Sequence, residues 1–437
     1  MKRLVLACVL LGSVAVANAD EVRVTRTLLP NGLRVLVREN PAAGVVAVSL
    51  LVRAGARFET PDDAGITNFL HRVMVRGTSR RSTVELATAA EEIGGSIDAS
   101  GDVEYSEVKG TALARHWESL LGLIAEVALH PSFPVEAVQT ERRLILSQIQ
   151  TRIDTPFQFA LDTMLEDLYG GHPYALPSIG RRESIERLSR EDLIAHYRNI
   201  YQPNRLVLAV SGHVPTPRVV SAVEKLFAAL PALPAAGAVP AFQEPFSAPA
   251  PPITPPGGRR VLERAAQQAQ ILVGFVGPAV TDTDYAAVKV LGAVLGGGMA
   301  GRFFVELRDK LGLAYSLGTI NPSRAGPASI VGYMGTAPTS AGPAEAAMRG
   351  EIARSRVDPP TADELARAKA YLLGSQAMDR RTNARQAWYL GFFELIGAGY
   401  DFPDRYAGFV NAVTAADVQA AARRYLERPT IVILRPR

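Results

Sequence analysis

The sequence predicts a two-layer α+β (α/β) protein made of two homologous domains joined by a proline-rich linker. Three observations carry this. Strand-like and helix-like patterns alternate along nearly the whole chain, without the glycine fingerprint of a nucleotide fold. A helix-then-strand segment at residues 188–210 recurs at 413–434, near the end of each half. Between the halves, residues 231–257 hold nine of the chain's 30 prolines among Ala, Gly and Ser, a composition that builds a semi-rigid connector and no core. The expected organisation is a leader at 1–19, an N-terminal domain at 20–230, the linker at 231–257 and a C-terminal domain at 258–437.

The leader is read from a basic start, Lys2 and Arg3, an apolar run from Leu4 to Val16, and the small-x-small site Ala17-Asn18-Ala19 before Asp20. The run is too short to cross a bilayer as a helix. Cleavage between Ala19 and Asp20 and export, as to a periplasm, are expected, with no membrane anchor. The single cysteine, Cys8, lies in the leader, so the mature chain has no thiol or disulfide chemistry. The formal charge is only +4, two units of which sit in the leader, and no Lys/Arg block is interleaved with aromatics. A nucleic-acid partner is not expected.

In chain order, residues 22–38 alternate around Pro30-Asn31-Gly32, a hairpin signal. Residues 45–54 form an apolar strand. A helix within 65–78 that stops at Gly77 follows, and another at 82–93 ends at Gly94-Gly95. Residues 96–110 alternate as strand, 113–129 return to helical period, and 140–154 are helical. The repeated segments align Ser189 and Asp192 with Thr414 and Asp417, and Tyr201 with Tyr425 after a one-residue gap. Both open on a capping residue and end in a β-branched strand.

The chemistry centres on residues 65–78, GITNFLHRVMVRGT. Ile66, Phe69, Leu70, Val73 and Met74 make one apolar helix face. Asn68, His71 and Arg72 sit opposite at i, i+3 and i+4, a spacing that points all three into one small volume. Such a triad is either a site or plain solvent surface. The stretch resembles the zinc helix of the pitrilysin/insulinase/mitochondrial-processing-peptidase family, whose pattern is H-x-x-E-H in an apolar helix ending in Gly-Thr or Gly-Ser. Gly65, Phe69, Leu70, Met74, Gly77 and Thr78 keep the frame. Asn68 replaces the first His ligand, His71 the general-base Glu, and Arg72 the second His. The family's third ligand, a Glu about 76 residues further on, becomes Gln148 in ERRLILSQIQ, with Asp154 and Pro156 following as usual for the family.

These four positions form a degenerate zinc site. An amide oxygen is a poor zinc ligand and a guanidinium is none. A divalent ion about 4 Å from Arg72 is repelled by roughly 8 kcal/mol at an effective dielectric of about 20. His71 is left as a lone imidazole, solvated or hydrogen-bonded. The other histidines, His116, His130, His172, His196 and His213, show no metal-ligand spacing. No cofactor is expected in this chain.

In the second half, LGGGMAGRFFVELRDKLGLAYSLG (295–318) places glycines 296–298 between two helices, the second carrying Phe303, Phe304 and Leu307 on one face. Without a Walker Lys-Ser/Thr this is no phosphate loop. It resembles the family's L-R-x-K…Y segment, and the resemblance implies that Arg308 and Tyr315 hydrogen-bond substrate near the scissile carbonyl. The other reading pairs Arg308 with Glu306 or Asp309 and puts Tyr315 in the core. SIDASGDVEY (96–105) resembles the family's substrate-binding edge strand, which implies peptide contact at Ile97, Asp98, Ala99 and Ser100. The resemblance covers nearly the whole mature chain. It implies two processing-peptidase-like metallohydrolase domains hinged as a clam. It also implies the zinc-free subunit of a two-chain metallopeptidase, with zinc in a homologous H-x-x-E-H partner and Arg308 and Tyr315 supplied by this chain. The alternative is an inactive peptide-binding or scaffold homologue without a proteolytic partner.

Overall fold

The computed structural model describes residues 23–230, 253 and 257–437. The expected leader with its cleavage point, and the proline-rich stretch apart from residues 253 and 257, lie outside the described residues.

In the N-terminal half, β1 (Val24–Leu28) and β2 (Arg34–Glu39) form the expected hairpin, turning at Gly32 with φ 92°. Then come β3 (Val45–Val52), α1 (Ile66–Met74), α2 (Thr83–Glu92), β4 (Ser96–Gly101) and β5 (Ser106–Leu113). Five helices follow: α3 (Trp117–Leu129), α4 (Val135–Asp154), α5 (Pro156–Tyr169), α6 (Arg182–Arg187) and α7 (Arg190–Ile200). The half closes with β6 (Leu206–Gly212) and α8 (Thr216–Leu226). The C-terminal half runs β7 (Gly258–Arg264), β8 (Ala269–Val276), α9 (Tyr285–Gly296), a π-helix (Phe303–Lys310), β9 (Ser316–Ile320) and β10 (Ser329–Thr336). It ends with α10 (Ala341–Val357), α11 (Ala362–Asp379), α12 (Asn383–Leu395), α13 (Phe402–Ala412), α14 (Ala415–Tyr425) and β11 (Thr430–Pro436).

The halves repeat one topology. The first sheet has the order β1-β2-β6-β3-β5-β4 and the second β7-β11-β8-β10-β9. With β1 removed the two coincide, including the parallel pairing of the first strand with the last, β2 with β6 and β7 with β11. The repeated sequence falls on α7–β6 and α14–β11. Its capping residues do the same work in both copies. Ser189 Oγ accepts from Asp192 N at 3.1 Å, and Thr414 Oγ1 accepts from Asp417 N at 3.2 Å.

The way the halves meet corrects the expectation of a hinged clam within one chain. Each sheet has one face on its own helices and the other on a helix from the opposite half. Val35, Val37, Val48, Leu50 and Val52 pack in the N-terminal core. Alternate residues Leu36, Ala47, Leu51, Val207 and Ala209 join the C-terminal core, under α12. Reciprocally, Ala160 and Met164 of α5 cover Leu272, Val331, Val432 and Leu434 of the second sheet. The approach is close: a Cβ on Gly391 of α12 would lie 2.2 Å from Leu51 Cδ1, so any larger residue there must push the Leu51 side chain aside. Buried polar links add to this. Glu104, 0 % exposed, takes Arg57 and Tyr174 from its own half and the N–H of Ala325 at 3.0 Å from the other. Opening the halves would strand that carboxylate and uncover both shared apolar layers, so the two halves behave as one body.

Candidate functional site

Helix α1 is set by what surrounds its N-terminus. Gly65 precedes it with φ 89°, and the Glu59 carboxylate accepts from Gly65 N at 2.7 Å and Thr67 N at 3.0 Å, satisfying two donors that the helix leaves open. Burial pushes Glu59 up to about 7 against those two hydrogen bonds. The apolar face Ile66, Phe69, Leu70, Val73 and Met74 is buried as expected.

The polar triad does not converge. Asn68, His71 and Arg72 each turn to a different element. Asn68 Oδ1 accepts from Gly101 N of β4 at 3.5 Å, and β4 lies so close that a Cβ on Gly101 would meet Asn68 Cα at 2.8 Å. His71 is fully buried: Nδ1 donates to Thr67 O at 2.8 Å and Nε2 accepts from the Tyr201 hydroxyl at 3.0 Å. A carbonyl only accepts, so that pair of bonds fixes the neutral tautomer. Burial lowers His71 to about 4, and its ring stacks on Tyr201 with centroids 5.8 Å apart. The general-base position therefore holds a neutral imidazole with both nitrogens engaged.

Arg72 bridges α1 to α4. Its Nε donates to Glu141 Oε2 at 2.8 Å and its Nη1 to Gln148 Oε1 at 2.6 Å. Arg76, one turn on, holds the other oxygen of Glu141 at 2.7 Å. The second and third ligand positions of the resemblance, Arg72 and Gln148, thus do face each other, and a guanidinium joins them directly. Glu141 and Arg76 were missed in the sequence. The available signals were the i, i+4 spacing of the two arginines and a carboxylate two turns before Gln148 on α4.

Zinc does not fit this donor set. One amide bonds a backbone N–H, another is held by a cation, the imidazole has no free lone pair, and the nearest carboxylate is bound by two guanidinia. Among the described residues no group of three His, Cys, Asp or Glu is placed to hold a metal ion.

In the other half, the glycine run ends α9 as expected, but the next segment is a π-helix. Phe303 and Leu307 are buried, while Arg308 turns outward over the Phe304 ring, 5.1 Å from its centroid. Arg308 Nη1 donates to Tyr315 O at 3.1 Å, and Tyr315 N donates to Gly335 O at 2.9 Å. Tyr315 is 61 % exposed. No carboxylate among the described residues lies within ion-pair distance of Arg308; Glu306 is taken by Lys310 and Arg354. The reading that buries Tyr315 and pairs Arg308 with Glu306 or Asp309 is excluded. No hydrogen bond, ion pair or ring contact joins Arg308 or Tyr315 to Asn68, Arg72 or Gln148.

Strand β4, with Ile97, Asp98, Ala99 and Ser100, is the outer strand of its sheet and pairs only with β5. Asp98 is exposed and Ala99 is buried. Among the described residues no strand pairs with its outer edge, although Gly101 N at its end is taken by Asn68 of α1.

Two family descriptions match this chain: insulinase (peptidase family M16) over residues 34–181, and the peptidase M16 inactive domain over residues 187–372. The chain belongs to peptidase family M16. It is 28 % identical over 423 residues to a protein named uncharacterized zinc protease SCO5738 from Streptomyces coelicolor, covering 94 % of this chain and 90 % of that one. It is 26 % identical over 415 residues to uncharacterized zinc protease YmxG from Bacillus subtilis, covering 94 % and 98 %. Among solved structures, a protease from Helicobacter pylori superposes with a TM-score of 0.86 at 21 % identity, covering 95 % of this chain and all of that one. A peptidase M16 inactive domain from Pseudomonas fluorescens gives 0.85 at 22 % identity, covering 95 % and 99 %. These neighbours share the fold of two M16 domains.

Proposed function

We propose that this M16 protein is the zinc-free subunit of a two-chain exported metallopeptidase. It supplies Arg308 and Tyr315, and half of a peptide chamber, to a homologous H-x-x-E-H chain that holds the zinc. The observation that carries this is the Arg72 guanidinium lodged between Glu141 and Gln148, where the family frame would place the ion. Water activation needs a metal and a base, and the α1 positions offer neither. What remains is a donor pair suited to a partner's site. Arg308 is preset by Phe304 and the Tyr315 carbonyl, the rest of its guanidinium unengaged among the described residues, and Tyr315 is exposed. Such donors stabilise the negative charge that develops on a scissile carbonyl. The interlocked halves also favour a chamber formed between chains rather than within this one.

A second reading, a peptide-binding homologue without a proteolytic partner, draws on the outer edge of β4 at Ile97–Ser100, with which no strand pairs among the described residues. Assaying hydrolysis of an unstructured peptide by this chain, an H-x-x-E-H chain of the same organism, and the mixture separates the two. The subunit reading expects no metal-dependent hydrolysis from this chain alone and a large gain on mixing. No gain on mixing with any such chain would leave the binding reading. Export is tested by N-terminal sequencing of the mature protein, which should begin at Asp20.

A further inference from the structure

Behind β9, between α9, α11, α12 and α13, lies a cavity of about 400 Å3. None of Arg308, Tyr315 or the α1 residues lines it. Its walls include the rings of Tyr285, Tyr389, Phe393 and Tyr406, and its polar lining includes Lys289 of α9, Asn321 of the loop after β9, and Gln376 and Asp379 of α11. Lys289 Nζ donates to the backbone carbonyl of Asn321. The ammonium also lies over the Tyr285 ring, 5.2 Å from its centroid, but it has three donors, so two are left without an oxygen or nitrogen acceptor among the described residues. The Asn321 side-chain nitrogen beside it is buried with no partner either.

The charges around the cavity do not neutralise this lysine. Asp379 of α11 is bound by Arg385 at 2.5 Å and by the Tyr389 hydroxyl at 2.9 Å. Arg324, on the same loop as Asn321, adds a second positive charge and pairs away from the cavity with Asp102 at 3.4 Å. The Tyr285 hydroxyl is taken by Ser323 at 2.6 Å. Enclosure and Arg324 together draw Lys289 down to about 7, as expected of an ammonium lacking a counter-ion. A half-buried cation and a buried amide nitrogen without a partner, side by side in a cavity with aromatic walls, describe half of a binding site, since enclosed polar groups are almost always matched.

We propose that this cavity binds a monocarboxylate with an apolar body. Its oxygens take the free hydrogens of Lys289, with the Asn321 amide as second donor, and its body packs against Tyr389, Phe393 and Tyr406. The carboxylate belongs either to a small free acid or to the C-terminal residue of a peptide. The site is independent of the peptidase reading, because neither zinc nor a partner chain takes part.

Calorimetric titration of the full mature chain tests this, with 3-phenylpropionate, its amide, Gly-Gly-Phe and Gly-Gly-Phe-amide as probes. Saturable binding of an acid and at least about tenfold weaker binding of its amide are expected, the size of one charge-assisted hydrogen bond. Binding of 3-phenylpropionate alone assigns a small free acid, and tighter binding of Gly-Gly-Phe assigns a peptide C-terminus. Lys289→Met should abolish either. Affinity should also fall as pH rises through about 7, where the free lysine loses its proton. No saturable binding of either acid at about 10 mM, where even a contact worth about 3 kcal/mol would register, overturns the proposal. Equal affinity for acid and amide overturns it too, and that comparison needs no variant to fold.

Discussion

Replacing Arg72 with Met keeps the aliphatic stem and removes the guanidinium that ties α1 to α4. Glu141 is 1 % exposed and would keep only Arg76, whose side chain is 43 % exposed. Removing one partner of a fully buried ion pair costs about 3–5 kcal/mol. Here the carboxylate retains one cation, and Arg72 itself is 19 % exposed, so the expected loss is smaller, about 1–2 kcal/mol. Losing the Arg72–Gln148 contact adds little, because Gln148 is exposed and water replaces it. Adding Glu141→Met to Arg72→Met should recover part of the loss, since no buried charge is then left to satisfy. A coupling energy of about 1–2 kcal/mol is expected. Urea unfolding followed by circular dichroism measures all four species of the cycle. If Arg72→Met lies within about 0.5 kcal/mol of wild type, or the two changes simply add, the guanidinium is not the bridge described here.

Gly391→Leu should destabilise the chain by about 1–3 kcal/mol or more through overpacking against Leu51, and thermal melts should show both halves unfolding together, in one transition by fluorescence and circular dichroism. Separate transitions would contradict the interlocked packing. Between about pH 6.5 and 4 the unfolded chain holds a proton on His71 that the folded chain lacks, so stability falls as pH drops through that window, by about 3 kcal/mol from this residue. His172 and His196, also lowered to about 4, act in the same direction, while Glu59, raised to about 7, opposes them. His71→Gln should therefore flatten the acid loss measured by denaturant titration at pH 6.5 and 4.5, and an unchanged loss would refute the assignment. Elemental analysis of the dialysed chain should find no stoichiometric zinc; about one tightly held ion per chain would contradict the donor chemistry of α1 and α4.

Much of this was legible in the sequence where residues act on near neighbours. The α1 apolar face, the Ser189–Asp192 and Thr414–Asp417 caps and the hairpin at Asn31-Gly32 depend on spacing alone, and the repeated segment pointed to the internal duplication, though not to the strand order. The facing of Arg72 and Gln148 was legible only through the family resemblance. His71 was assigned to the polar face because its burial depends on Tyr201, 130 residues away. The exchange of α5 and α12 between halves left no periodic mark. Ala387, Leu390, Gly391, Phe392, Phe393 and Leu395 are all buried, so α12 has no polar stripe to betray its position. The π-helix at 303–310 was likewise hidden, since Phe303 and Leu307 read as an ordinary i, i+4 pair. Its wider turn accompanies the outward placement of Arg308.

On the proposed function, Arg308 and Tyr315 act in a site completed by another chain. Turnover of a peptide by the reconstituted pair, with size exclusion to confirm assembly, tests it most directly. Arg308→Ala and Tyr315→Phe should each assemble normally and lose about 10²–10³ in rate, the usual cost of one preorganised donor. Arg308→Lys should also be impaired, because an ammonium lacks the planar fork that the Tyr315 carbonyl and Phe304 hold in place. Asn68→Ala, at a position that no longer does chemistry, should have a much smaller effect. Assembled pairs carrying Arg308→Ala or Tyr315→Phe that cleave at the wild-type rate would contradict the claim.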